Sequence, residues 1–188
     1  MDQENKSSIG KIIFGIAFLV LAAILFFGKP EEAAEKLPDH SFKDEPVIVE
    51  GFIPYELEEA SLPTRILIPS LSIDLSVKKA KIIEGYWELF EDSAAWGEGS
   101  GLPGAMGNQV IFAHAREGLF LPLREIQKGM KVYVLSGDKW FSYEVDEIKE
   151  VDPDQTEVIA ETEDEKLTLY TCSGFADSKR LIVVAKRI

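Results

Sequence analysis

A single cysteine, Cys172, leaves the chain without an internal disulfide. The same scarcity argues against a structural zinc site: one cysteine and two histidines fall short of the usual four ligands, and no second Cys or HxxxH-type spacing is present. Cations are also few. Twenty Lys and Arg stand against 33 Asp and Glu, for a formal net charge of -13. That balance disfavours nucleic-acid binding, which needs phosphate-neutralising cations on one face. Internal repeats are missing, and 188 residues leave room for a membrane anchor and one core-bearing domain but not for a second catalytic domain.

Residues 12–27, IIFGIAFLVLAAILFF, are free of charge. The run sits at the short end of the about 17 to 25 residues that span hydrocarbon, and Lys11 at its border can snorkel to the interface. Lys6 and Lys11 on its N-terminal side place the N-terminus in the cytosol and the remainder outside. A cleaved signal peptide fits less well. Its apolar region would be only about 7 to 15 residues long and would be followed by a small-x-small site. Here Ala22 lies inside the run, and the exit is Gly28-Lys29-Pro30. Residues 1–28 thus read as a cytoplasmic tip and a single-pass, uncleaved transmembrane anchor.

Residues 29–61 carry Pro30, Pro38, Pro46 and Pro54 among many acidic side chains. Prolines at that spacing forbid a long helix, and the acidic excess keeps the segment extended, so it reads as a stalk with His40 as a solvated spacer residue. Leu62-Pro63-Thr64 then opens a folded domain over residues 62–188.

In that domain the pattern turns to short strands: 65–69, 75–80, 108–115, 131–136, 140–148, 166–172 and 180–188. Gly137-Asp138 forms a hairpin turn between two of them, and a turn or two of helix is predicted over 119–127, ended by Gly129. Many short strands with frequent turn signals and little helix predict an all-β, antiparallel-rich barrel, closed or nearly so.

Alternation along 166–172 puts Thr168, Tyr170 and Cys172 on one face, with the thiol at the strand end before Ser173-Gly174. The same logic puts His114 at the end of its strand, and Arg180 opens the last one. A nucleophile, an acid or base and a fixed cation at three strand ends form a catalytic set if they converge on one rim of the barrel. Each also has a plainer role: Cys172 as a core thiol, His114 as a satisfied structural histidine, Arg180 as a surface charge paired with Asp177. An exported lone thiol is either buried and inert, paired between molecules, or kept for its reactivity. The acidic stretch 150–165 reads as a solvated loop. Its carboxylates could hold Ca2+, but no EF-hand spacing supports this, and no cofactor is expected.

The run Thr168-Leu169-Tyr170-Thr171-Cys172 matches a TLxTC signature. With His114 upstream, Arg180 downstream, the opening PTRILIPSLSIDLSV, the phrase GNQVIFAHA and the following LPLREIQKGMKVYV, it resembles the sortase family of cysteine transpeptidases over roughly residues 62–188, with a D- or E-like class. The chain departs from many relatives in having Ala113 where they carry glycine and in the short loop SGFADSK between Cys172 and Arg180.

The resemblance implies a sortase-like eight-stranded barrel with short helices behind a transmembrane anchor. It implies a membrane-tethered enzyme of the thiol-protease kind that cuts surface proteins at a C-terminal LPxTG-like signal. The acyl group would pass to an amine, such as a cell-wall precursor or a pilin lysine. Cys172 takes the role of nucleophile, His114 of general acid/base and Arg180 of oxyanion or substrate stabiliser. No carboxylate is recognisable that would orient His114, so slow turnover is expected. Two other readings remain at this level: a cysteine hydrolase with the same triad, and a non-catalytic anchored binding barrel.

Overall fold

The computed structural model describes residues 62–188; the expected anchor and stalk, with His40, lie outside the described residues. Among the described residues no helix is long and apolar enough to cross a membrane.

Ten strands follow in order: β1 (Pro63–Ile68), β2 (Ile73–Ala80), β3 (Ile82–Ile83), β4 (Tyr86–Trp87), β5 (Ala94–Gly97), β6 (Gly107–Phe112), β7 (Lys131–Ser136), β8 (Lys139–Val151), β9 (Glu165–Ser173) and β10 (Lys179–Arg187). Eight of them close a barrel in the order β1-β2-β5-β6-β9-β10-β8-β7, while β3 and β4 form a separate hairpin. Most neighbours are antiparallel, but β2 with β5 and β6 with β9 run parallel. Closure leaves no barrel strand with an unpaired edge.

Alternation explains the core. Ile66, Ile68, Ile111, Val132, Val134, Tyr143, Leu167, Leu169, Val183 and Ala185 fill the barrel interior. The next residues along the same strands, Val110, Phe112, Tyr170 and Ile182, point outward and form a second apolar cluster with Trp87 and Ile159. This outer cluster is roofed from two sides. The β3–β4 hairpin turns at Glu84 and Gly85, both at positive φ as a tight two-residue turn requires, and delivers Trp87 onto Phe112 with ring centroids 5.5 Å apart. Ile159 arrives on a short 3-10 turn, Thr156–Ile159, from the β8–β9 connection. Fully burying a side chain of this size contributes roughly 1.5 to 3 kcal/mol, so one outer face of the barrel is as firmly packed as the inside.

Several boundaries differ from the sequence expectation. The strand expected over 108–115 ends at Phe112, and the helix expected over 119–127 is a single 3-10 turn, Leu121–Glu125, with Pro122 near its start. The stretch Ala94–Gly97 is a fully buried barrel strand that low strand propensity hid. A β-bulge in the β8–β10 pairing near Asp146 reverses the parity of β8: Tyr143 and Val145 point inward, while further along Glu150 pairs with inward Leu181 and Val151 joins the outer cluster.

Candidate active site

Strand β9 lies between β6 and β10, and its two registers decide which residues flank Cys172. On the antiparallel side Cys172 stands directly opposite Arg180. On the parallel side the last register pair is Phe112 with Tyr170. The alignment continues past the strand end: the Ala113 amide donates to the Tyr170 carbonyl at 3.3 Å, and the Thr171 hydroxyl donates to the Ala113 carbonyl at 2.8 Å. His114 therefore falls level with Cys172. His114, just past the end of β6, thus joins Cys172 on β9 and Arg180 on β10 in one row across neighbouring segments, with paired strands about 4.8 Å apart.

Parity sets the face. Phe112, Tyr170 and Ile182 belong to the outer cluster, and His114, Cys172 and Arg180 each lie two residues further toward the same strand ends. The row thus sits on the outer surface of the sheet, just beyond a packed apolar floor, rather than inside the barrel mouth. Cys172 is partly exposed between buried Thr171 and Ser173, so it is not the core thiol that position alone allowed.

Arg180 is 4% exposed. Its Nη1 donates to the backbone carbonyls of Asp177 at 2.7 Å and Lys179 at 3.0 Å, so the loop backbone helps to fix the side chain. These carbonyl contacts orient the planar guanidinium fork.

His114 is 8% exposed, and its carbonyl accepts from the Phe120 amide at 3.0 Å. The expectation that it lacks a carboxylate is corrected by the fold. Glu91 Oε1, on the connection between β4 and β5, lies 3.7 Å from His114 Nε2. The other oxygen of Glu91 pairs with Arg116 at 2.5 Å, and the Arg116 guanidinium also donates to the Glu91 backbone carbonyl. Sequence reading missed both residues. Arg116, two positions after His114, was the one local signal; Glu91 offered none, because only the packing of the β4–β5 connection brings it near.

The β8–β9 connection is strapped over the outer face. Asn108 donates to the carbonyls of Ala160 at 3.0 Å and Val158 at 3.4 Å while accepting from the Thr168 hydroxyl at 2.7 Å. At its other end Asp152 pairs with Lys179, next to Arg180, at 2.6 Å. Among the described residues no group of three or more His, Cys, Asp or Glu is placed to hold a metal ion, and Asp152 is engaged by Lys179.

The loop from Cys172 to Arg180 is short and strained: Gly174, Ala176 and Asp177 all have positive φ, and Phe175 at its tip is 91% exposed. Ala113, the departure before the histidine, is accommodated: it is 4% exposed and packs into the interior cluster.

Known proteins share this arrangement of strands. The chain is 30% identical over 132 residues to a sortase A of Bacillus anthracis, covering 69% of this chain and 60% of that one. It is 31% identical over 150 residues to a sortase A of Streptococcus agalactiae serotype III, covering 74% and 59%. The chain thus spans about 60% of the length of these curated relatives. Among solved structures it superposes on a Clostridium perfringens sortase D5 transpeptidase with a TM-score of 0.59 at 25% identity, covering 71% of this chain and 82% of that one. The sortase domain family model matches residues 66–188, nearly the whole barrel and all three residues of the row. The chain belongs to the sortase family.

Proposed function

We propose that this protein is a membrane-anchored cysteine transpeptidase that cleaves an LPxTG-like sorting signal and passes the released acyl group to an amine. The observation that carries the reading is the row of His114, Cys172 and Arg180 on one outer face, with a partly exposed thiol between a histidine and a backbone-oriented arginine.

In the proposed reaction the Cys172 thiolate attacks the threonine carbonyl of the signal. A C–S bond forms, the peptide C–N bond breaks, and the His114 imidazolium gives its proton to the departing amine. Arg180 faces the carbonyl oxygen as it gains charge. In the second half the acceptor amine attacks the thioester carbonyl, the new C–N bond forms, the thiolate leaves with the C–S electron pair, and His114 takes the amine proton. Cysteine suits this exchange because a thioester is activated toward amines and the thiolate is a good leaving group. The apolar floor around Tyr170 and Ile182 supports a signal rich in Leu and Pro.

Incubating the full chain in detergent micelles with an LPxTG-type peptide library and an added amine, and reading products by mass, tests the proposal. Cleaved peptide joined to the amine is the expected product. Free acid alone, even with amine present, would make the protein a hydrolase, and no cleavage would leave a binding barrel.

The anchor and an extracytoplasmic domain belong to the same proposal, resting on residues 12–27 and the flanking lysines. Protease added to intact cells is expected to digest the domain and leave a small membrane fragment; protection until lysis would reverse the topology.

A further inference from the structure

The chain enters the barrel at the end opposite the thiol. Pro63 opens β1 level with Ser136 at the close of β7, and Ser136 pairs with Lys139 at the start of β8. The start of β8 lies toward the end of β10, whereas Arg180 meets Cys172 where β10 begins. Nine residues of β9, tilted as barrel strands are, separate the two ends by roughly 20 to 30 Å. Three large apolar side chains stand in water at the entry end: Met106 is 71% exposed, Trp140 45% and Ile188 58%. They are neighbours in the fold. Leu102 and Ala105 from the loop before β6 and Lys139 and Phe141 from the β7–β8 hairpin line one cavity of about 330 Å3, which puts Met106 and Trp140 beside its walls. The Ile188 amide donates to the carbonyl of Ser142, two residues past Trp140.

Single exposed apolar residues are ordinary, but a group gathered at one end of a fold marks a contact surface. What it meets follows from the course of the chain. Residues 28–62, which join the uncharged run 12–27 to Pro63, reach at most about 120 Å when fully extended. With that run in the bilayer the domain never leaves the lipid surface, and a weak contact suffices. Tryptophan favours the boundary between headgroups and acyl chains, where its ring lies in apolar surroundings and its N–H in wet ones. Lys139, next to Trp140, brings a cation to the level of the lipid phosphates. The net charge of -13 offers anionic lipid no general attraction, so the apolar side chains carry the contact.

We propose that the entry end of the barrel, through Met106, Trp140 and Ile188, docks on the interface of a phospholipid bilayer. The proposal rests on the reading of residues 12–27 as an anchor. Docking turns the row of His114, Cys172 and Arg180 away from the lipid and holds it roughly 20 to 30 Å out from the headgroups, which fixes the height at which a sorting signal is met.

The chain carries its own reporter. Of its three tryptophans Trp87 and Trp96 are buried, which leaves Trp140 as the one that lipid can touch. The full chain is placed in nanodiscs of phosphatidylcholine with either plain or brominated acyl chains, since bromine quenches tryptophan on contact. Emission is expected to be weaker in the brominated discs, and that difference should vanish in Trp140→Phe. The double variant Met106→Glu, Ile188→Glu should also lose the quenching although Trp140 is untouched, because a carboxylate resists leaving water. Circular dichroism is expected to match wild type in both variants. Equal emission in the two kinds of disc, quenching that persists in Trp140→Phe, or quenching that survives the double substitution would overturn the proposal. A chain that does not copurify with the discs removes the anchored reading instead, and brominated phosphatidylcholine vesicles added to it then decide, by the same quenching, whether this end binds lipid.

Discussion

The carboxylate of Glu91 bridges His114 and Arg116: one oxygen lies 3.7 Å from His114 Nε2 and the other pairs with the Arg116 guanidinium. In the proposed reaction His114 hands a proton to the leaving amine as an imidazolium, a cation that the Glu91 carboxylate faces, and Arg116 keeps that anion in place. The Glu91 side chain is 70% exposed, so solvent screens the interaction and its worth is small, about 0.2 to 1 kcal/mol. Glu91→Gln is expected to lower kcat about twofold to fivefold with peptide KM unchanged, measured by steady-state cleavage. A wild-type kcat would show that the carboxylate serves only Arg116.

Arg180 and Arg187 lie at opposite ends of β10. Arg187 packs over Phe141 and Tyr143 and reaches Glu165, away from the thiol, whereas Arg180 stands opposite Cys172. Arg180→Lys keeps a charge but loses the planar fork, and turnover is expected to fall roughly 10 to 1000-fold. Arg187→Lys should leave turnover alone and lower the melting temperature. Near-normal turnover in Arg180→Lys, with circular dichroism confirming the fold, would move the oxyanion contact to the backbone.

Asn108 couples the β8–β9 connection to the strands of the site. Asn108→Ala removes its bonds to Ala160 and Val158 and strands the Thr168 hydroxyl in the outer packing. The expected cost is about 1 to 3 kcal/mol in urea unfolding, and peptide KM should rise because the connection is no longer held over the face. Exchanging residues 152–164 for another sequence should change which peptides are cut without changing the rate at which iodoacetamide alkylates Cys172. Unchanged selectivity would make the connection a solvated link and nothing more.

Phe175 is an apolar side chain held in water by a strained loop, an arrangement that costs the isolated protein and rewards a bound chain. Phe175→Ala is expected to leave unfolding within about 0.5 kcal/mol of wild type, as for other exposed sites, while raising peptide KM. A stability loss with KM intact would show instead that the ring packs in solution.

Tyr143 is held inside the barrel, donating to Glu165 at 2.8 Å, and burial followed by the Glu165 carboxylate pushes its phenol well above the ordinary value of 10.0. A group whose folded pKa is raised contributes stability that is complete below its unfolded value and is lost as pH rises beyond it. Urea midpoints are therefore expected to fall as pH climbs above about 10, and to fall less in Tyr143→Phe. Parallel curves for the two proteins would assign the alkaline loss to other groups.

Much of this was legible in the chain. Period-two alternation placed seven of the barrel strands and correctly put Thr168, Tyr170 and Cys172 on one face, because side-chain direction along a strand is a local property. The TLxTC run, a histidine expected at the end of its strand and an arginine expected to open the last strand picked out the candidate set, and the registers bring the three into one row. Ala94–Gly97 escaped notice because three of its four residues, Ala94, Ala95 and Gly97, disfavour strands; burial along its whole length makes it one.

What the chain alone determined was which residues alternate and which side chains can carry chemistry. Tertiary structure decided who faces whom. The parallel register of β6 with β9 sets His114 level with the thiol, and a parallel pair has no connecting turn in the sequence to announce its alignment. The bulge near Asp146 turned Glu150 toward the barrel mouth against simple alternation. Glu91 reached His114 because Trp87, just upstream, anchors against Phe112 and carries the connection there. Such contacts depend on packing between segments far apart in sequence, which no local pattern encodes.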